Sequence, residues 1–138
     1  MKILTLASEY LQNGFSIFPL QPRSKKPLLR SWEPYKTTYA TNEQVQEWFS
    51  NDHAENNIAI VTGKISRIIA FDVDGKEAND HFNKIIESLN DDELRTALRH
   101  SLCIKTGSGN TNIIIGFREE FASADDKIPN SVLWRSEI

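Results

Sequence analysis

The chain has 138 residues, 39% of them hydrophobic and 25% charged, with a net charge of −3. That size suits one globular domain with a modest core and leaves little room for a second. The apolar runs fall far short of the roughly 20 residues that a bilayer-spanning helix needs, and the N-terminal MKILTLASEYL carries Glu9, so neither a membrane span nor a secretory leader is expected.

The single Cys103 has no partner for an internal disulfide, and three scattered histidines do not make a Cys/His zinc cluster. A reducing, cytoplasmic setting is the expectation. The net charge hides a partition along the chain. Residues 23–30 hold Arg23, Lys25, Lys26 and Arg30 without an acid, whereas 72–93 hold Asp72, Asp74, Glu77, Asp80, Glu87, Asp91, Asp92 and Glu93. A basic patch attracts phosphate and a carboxylate pair attracts a divalent cation, so the overall sign decides little about partners.

Ile3, Leu6, Ala7, Tyr10 and Leu11 recur at helical spacing, and Asn13-Gly14 supplies the stop. FSIFPL then reads as a short strand. QPRSKKPLLRSWEPYKTTYA, with three prolines and a run of cations, reads as a long, mostly irregular loop. Thr41 and Gln44 fit a capping box that opens a helix with Val45, Trp48 and Phe49 on one face.

NIAIV at 57–61 predicts a strand ended by Thr62-Gly63, and RIIAF at 67–71 a second strand leading into Asp72 and Asp74. Ala78, Phe82, Ile85, Ile86 and Leu89 predict a helix face, and DDEL at 91–94 begins another short helix. LCI at 102–104 and III at 113–115, joined by TGSGNTN, predict a β-hairpin. A last strand, VLW at 132–134, runs into Arg135, Ser136 and Glu137. Helices and strands mix without strict alternation, which predicts an α+β fold with a mixed, largely antiparallel sheet and flanking helices in a single domain spanning 1–138.

The sharpest local feature is FDVDG at 71–75. In a strand, residues i and i+2 share a face, so Asp72 and Asp74 converge about 7 Å apart at the backbone, within reach of one or two hard cations. Two metal ions about 3.5–4 Å apart can activate a hydroxyl and stabilise the leaving oxygens of a phosphoryl transfer. The plainer reading is a turn begun at Asp74-Gly75 with both carboxylates solvated. Gly107 and Gly109 let the backbone bend with its amides exposed, an arrangement that can hold a phosphate, or simply close a hairpin. It is not a P-loop, having no GK[ST] and leading into a strand.

Taken in order, ASEYLQNG at 7–14, FPL at 18–20, KPL at 26–28, WEPY at 32–35, Ala40-Thr41, Trp48-Phe49, NIAIVTG at 57–63, Ser66, FDVDG at 71–75 and KTGSG at 105–109 resemble the N-terminal prim-pol domain of the archaeo-eukaryotic primase superfamily. This family comprises primase-polymerases of plasmids, viruses and mobile elements. The resemblance implies a prim-pol type catalytic core, here C-terminally incomplete, in which an acidic pair on a strand is joined by a third carboxylate from a neighbouring strand.

Asp72 and Asp74 match the pair and Glu137 the third acid, so these three are the candidate catalytic residues and the ligands of Mg2+ or Mn2+. Thr106, Gly107, Ser108 and Gly109 match the nucleotide-binding bend, with Lys26 as a further phosphate contact. Arg23, Lys25 and Arg30 are candidate DNA-binding cations. One departure stands out. Where the family has a histidine that contacts nucleotide phosphates, this chain has Asn112, which donates a hydrogen bond but carries no charge.

The implied partners are a DNA template, nucleoside triphosphates and a helicase domain or protein, with no membrane. A catalytically inactive nucleotide- or DNA-binding module is the alternative. FDVDG after an apolar strand also resembles the start of a haloacid-dehalogenase-type phosphatase, but Lys76 follows it where Thr or Val is expected and the motif lies mid-chain.

Overall fold

The computed structural model describes residues 2–105, 111–116 and 132–135. The chain divides into two compact units, Met1–Arg67 with Arg118–Ile138, and Ile68–Phe117.

The first unit opens with helix α1, Ile3–Gln12, which buries Ile3, Leu6 and Ala7. Its stop is the Asn13-Gly14 pair. Gly14 takes φ 83, a left-handed backbone that glycine adopts without a Cβ penalty. The Gly14 N–H then reaches the Leu11 carbonyl and the Phe15 N–H reaches back to Tyr10, each at 3.0 Å. The Phe15 ring closes this Schellman-type cap edge-on against Tyr10 at 5.9 Å.

Strand β1, Ser16–Leu20, is buried along its whole length. It pairs antiparallel with β2, Asn57–Val61, from Ser16 opposite Val61 to Leu20 opposite Asn57. β2 in turn pairs antiparallel with β6, Val132–Arg135, giving the order β1-β2-β6. Pro19 lacks an N–H and is tolerated because β1 is an outer strand. Its carbonyl accepts from Leu28 at 3.0 Å, and the Gln21 N–H donates to the Lys26 carbonyl at 2.9 Å. The chain after β1 therefore folds back along the open edge of that strand.

Helix α2, Asn42–Phe49, begins with the expected capping box. The Gln44 N–H donates to Thr41 Oγ1 at 3.2 Å and the Thr41 N–H to Gln44 Oε1 at 2.9 Å. Its Trp48 meets Tyr35 edge-on at 5.4 Å, and Phe18 of β1 stacks on Trp32 at 5.5 Å and on Tyr35 at 6.5 Å. Side chains as fully buried as Phe18, Ile17, Leu20 and Ile58 each stabilise by about 1.5–3 kcal/mol. Polar groups inside this core are paired. The Ser16 N–H donates to Ser66 Oγ at 2.9 Å and Ser16 Oγ donates to the Tyr35 carbonyl at 2.6 Å.

The second unit runs β3 (Ile68–Val73), α3 (Gly75–Ser88), α4 (Asp92–Arg99), β4 (Leu102–Lys105) and β5 (Thr111–Gly116). Its sheet has the order β3-β5-β4 with both pairings antiparallel. α3 packs on β3, where Phe82 meets Phe71 at 5.7 Å, and α4 packs on β5 with Leu98 buried. The Asp91 carboxylate caps α4 by accepting from the Leu94 N–H at 2.9 Å.

The α+β class is as the sequence predicts. In place of one mixed sheet there are two three-stranded sheets, antiparallel at every pairing among the described residues. Two local readings also shift. β3 continues to Val73 and α3 begins at Gly75, so Asp72 lies within the strand. Ile85, read as part of the buried helix face, is 56% exposed while Ile86 is buried. Phe82 and Ile86 stand four residues apart on one stripe, and Ile85 lies about 100° round the helix from Ile86. No helix among the described residues is long and apolar enough to cross a membrane.

Candidate active site

The C-terminal end of β3 carries both predicted acids. Val73 is buried, and Asp72 and Asp74 on either side of it are exposed. Asp74 keeps an extended backbone, φ −96 and ψ 110, so the alternation of the strand continues through it. Both carboxylates therefore share the face opposite Val73. Phe71 and Val73 occupy the face on which α3 packs, which leaves the acids on the side away from that helix. Gly75 then turns the chain at φ 81, with nothing within 4 Å of where a Cβ would stand. The glycine of FDVDG is required by its backbone angle and not by crowding.

Asp74 also occupies the N-cap position of α3, where an aspartate usually accepts a bond from the first turn. It makes no such bond. Asp91, with the nearly identical dihedrals φ −96 and ψ 108, does cap its helix. Two aspartates on the same local backbone are thus used differently. The carboxylate of Asp74 makes no cap bond to α3.

Asn112 lies directly opposite Asp72 in the β3–β5 register. Directly opposed cross-strand residues share a face, with Cβ atoms about 4.5–5.5 Å apart. Asn112 is only 7% exposed. The next residue towards the bend, Thr111, lies opposite both Val73 and Lys105. Lys105 and Thr111 therefore lie at the same end of the sheet as the acidic pair. Thr106, Gly107, Ser108 and Gly109 lie outside the described residues, as does Glu137. The strand before Glu137, β6, has β2 as its hydrogen-bonded neighbour among the described strands.

The predicted cations form a separate feature of the first unit. Arg23, Lys25, Lys26 and Arg30 are all exposed, on a loop whose backbone is tied down. The Ser24 N–H donates to the Gln21 carbonyl at 3.2 Å, Ser24 Oγ accepts from the Lys26 N–H at 3.1 Å, and Asn57 Nδ2 donates to the Ser24 carbonyl at 3.3 Å. Arg23 is held at φ 52, a conformation that costs a non-glycine residue about 1–3 kcal/mol and persists only where surroundings enforce it. The loop is irregular, as predicted, but anchored.

A divalent cation fits the acid end of β3 on donor chemistry. Carboxylate and carboxamide oxygens are hard ligands that suit Mg2+ and Mn2+. Among the described residues no group of three or more His, Cys, Asp or Glu side chains gathers to hold a metal, so the two carboxylates need further oxygen donors. A feature that sequence reasoning did not single out is an open depression lined by Lys76, Glu77, Asp80, His81 and Lys84 of α3. Its mixed charges were concealed within a stretch read only as acidic.

The family model for the N-terminal domain of bifunctional DNA primase/polymerases, Prim-Pol, matches residues 7–131. That span contains the cationic loop, FDVDG, the glycine bend and Asn112. Among curated proteins no match was found. Matched over most of its length to that model, the chain belongs to the Prim-Pol family of bifunctional DNA primase/polymerase N-terminal domains.

Proposed function

We propose that this chain is the nucleotidyl-transfer module of a cytoplasmic replication protein of a plasmid, virus or mobile element, extending a strand along a DNA template with two divalent metal ions. Family membership carries the coarser statement, a DNA primase/polymerase-type function with a DNA template and nucleotide substrates. The observation that carries the finer one is the placement of Asp72 and Asp74 on one face at the end of β3, with Asp74 not used as a helix cap.

In this reading Asp72 and Asp74 hold Mg2+ or Mn2+, with Glu137 as the third carboxylate. Ions held by these carboxylates would supply Lewis-acid activation of a 3′-hydroxyl and neutralise triphosphate charge. The amides of the bend at Thr106, Gly107, Ser108 and Gly109 cradle the triphosphate, and the Asn112 amide donates a neutral hydrogen bond to a phosphate oxygen. Lys26 meets nucleotide phosphate. Arg23, Lys25 and Arg30 track the template backbone from their anchored loop, with contacts that weaken as salt rises. A helicase domain or protein supplies unwound template.

A second reading is a nucleotide- or DNA-binding module without catalysis, and the observation that favours it is Asn112 in place of the phosphate-contacting histidine. The phosphatase reading of FDVDG loses its ground, because the Prim-Pol match runs through that motif. Primer synthesis and extension with Mn2+, on the chain and on Asp72→Ala and Asp74→Ala, separates the readings. Incorporation that disappears in both variants supports the transferase. Incorporation unaltered in Asp72→Ala refutes the site, and nucleotide binding without incorporation selects the second reading.

A further inference from the structure

We infer that Leu28 is a base-contacting residue, whose side chain packs against the face of an unstacked nucleobase in the strand that the surrounding cations hold by its phosphates. The inference rests on the reading of the loop at 23–30 as a DNA contact and adds to it a residue without charge. Lys26, Leu28 and Arg30 are exposed, with Pro27 and Leu29 half-buried between them. A leucine is thus presented to solvent between two cations. A single exposed leucine is ordinary on a protein surface, and what sets this one apart is how it is mounted. Its own N–H donates to the Pro19 carbonyl at 3.0 Å, the Gln21 N–H donates to the Lys26 carbonyl at 2.9 Å, and Pro27 forms an antiparallel bridge with Leu20. Leu28 is therefore held out from the ordered edge of β1, and its backbone needs no further ordering to meet a ligand.

Charge complementarity selects the occupant. Residues 21–32 carry four cations and no acid, and the next acid, Glu33, is engaged with Lys36 at 2.6 Å. The segment draws a polyanion, and the Prim-Pol match makes that polyanion DNA. A DNA strand offers phosphates to the cations and flat base faces to an apolar side chain, the contact that leucine makes where it wedges between base steps. In a duplex those faces are closed by stacking. In a single strand they are open. The cations therefore bind either form, whereas Leu28 adds a contact only where a base face is free, which favours single-stranded over duplex DNA at this loop.

The test is the affinity of the whole chain for a fluorescein-labelled single strand of mixed sequence and for the same strand in duplex, read by anisotropy over a series of salt concentrations. Circular dichroism monitors the fold and sedimentation the oligomeric state. Leu28 is 43% exposed, and burying that share of a leucine side chain corresponds to about three- to ninefold in affinity. Leu28→Ser is expected to weaken single-strand binding by that factor, to leave duplex binding as it was, and to keep the slope of log affinity against log salt, because no phosphate contact is lost. Leu28→Phe, which offers a larger face for a base, is expected to tighten the single strand alone, and it decides the matter should the serine variant not fold. If Arg23→Ala and Arg30→Ala weaken both forms while Leu28→Ser and Leu28→Phe keep the parent affinities, or change both forms equally, Leu28 meets no base and the inference is overturned with the DNA reading of the loop intact. If the arginine variants keep the parent affinities and salt slope, that reading fails and the inference falls with it. A change of oligomeric state in Leu28→Ser with single-strand affinity unaltered makes the leucine a contact between copies of the chain, and likewise overturns the inference.

Discussion

Replacing Asp74 and Asp91 by alanine, one at a time, separates a carboxylate that holds a helix from one kept for a ligand. The two residues have almost the same dihedrals, at φ −96, ψ 110 and φ −96, ψ 108, yet only Asp91 accepts a bond from its first turn, at 2.9 Å from Leu94 N. Losing an N-cap costs about 1 kcal/mol. Cooperative melting of 138 residues at about 2.1 cal/mol/K per residue carries an entropy near 0.29 kcal/mol/K, so Asp91→Ala should lower Tm by about 3–4 °C.

Asp74→Ala removes no cap bond. It forfeits a favourable interaction with the α3 dipole of about 0.3–1 kcal/mol and relieves repulsion from Asp72. That repulsion is about 0.6 kcal/mol for unit charges about 7 Å apart in water, before salt screens it. The two nearly cancel, and Tm should move by about 1 °C or less. Mn2+ at about 100 times its dissociation constant should stabilise the parent by about 2.7 kcal/mol, roughly 9 °C, and Asp74→Ala far less. Scanning calorimetry with and without Mn2+ reads all of these. If Asp74→Ala is destabilised as much as Asp91→Ala and Mn2+ raises both equally, Asp74 is a cap and the argument for a cation seat is refuted.

Ser66→Ala leaves the buried Ser16 N–H at the start of β1 without its 2.9 Å acceptor, at a cost of about 1–3 kcal/mol, measurable as a lower denaturant midpoint; an unchanged midpoint would show that another acceptor takes over. The Glu43 carboxyl is held below its ordinary value of 4.5 by its own backbone N–H and then by the Thr41 hydroxyl. A lowered folded pKa adds stability above the unfolded pKa that is lost as pH falls through the folded one, so the Tm advantage of the chain over Glu43→Gln should vanish as the solution is acidified from neutrality to about pH 3. Alanine at Arg23, Lys25, Lys26 and Arg30 should weaken DNA binding irrespective of sequence and flatten the plot of log affinity against log salt by about 0.7–0.9 for each phosphate no longer neutralised. Fluorescence anisotropy with labelled DNA at several salt concentrations measures this, and an unchanged slope would place the phosphate-binding cations elsewhere.

Much of this protein is legible without coordinates because the controlling interactions are local. The α1 stop at Asn13-Gly14 and the capping box of Thr41 and Gln44 each depend on residues within a few positions of one another. The shared face of Asp72 and Asp74 follows from strand periodicity once FDVDG is seen to end a strand. The order of short motifs also suffices to point to the family, whose model matches residues 7–131.

What needed the fold is whatever depends on pairing between distant segments. Asn112 stands 40 positions after Asp72 with two helices between them, and only the hydrogen-bond register of β3 on β5 makes them neighbours. A shift of one residue in that register would have turned Asn112 to the other face. The same holds for Ser66, whose hydroxyl serves β1 from 50 residues away, and for the division of the strands into two sheets. Local chemistry writes caps, turns and alternation into the chain. Which side chains meet is decided by strand register and packing, and these are collective properties of the folded molecule.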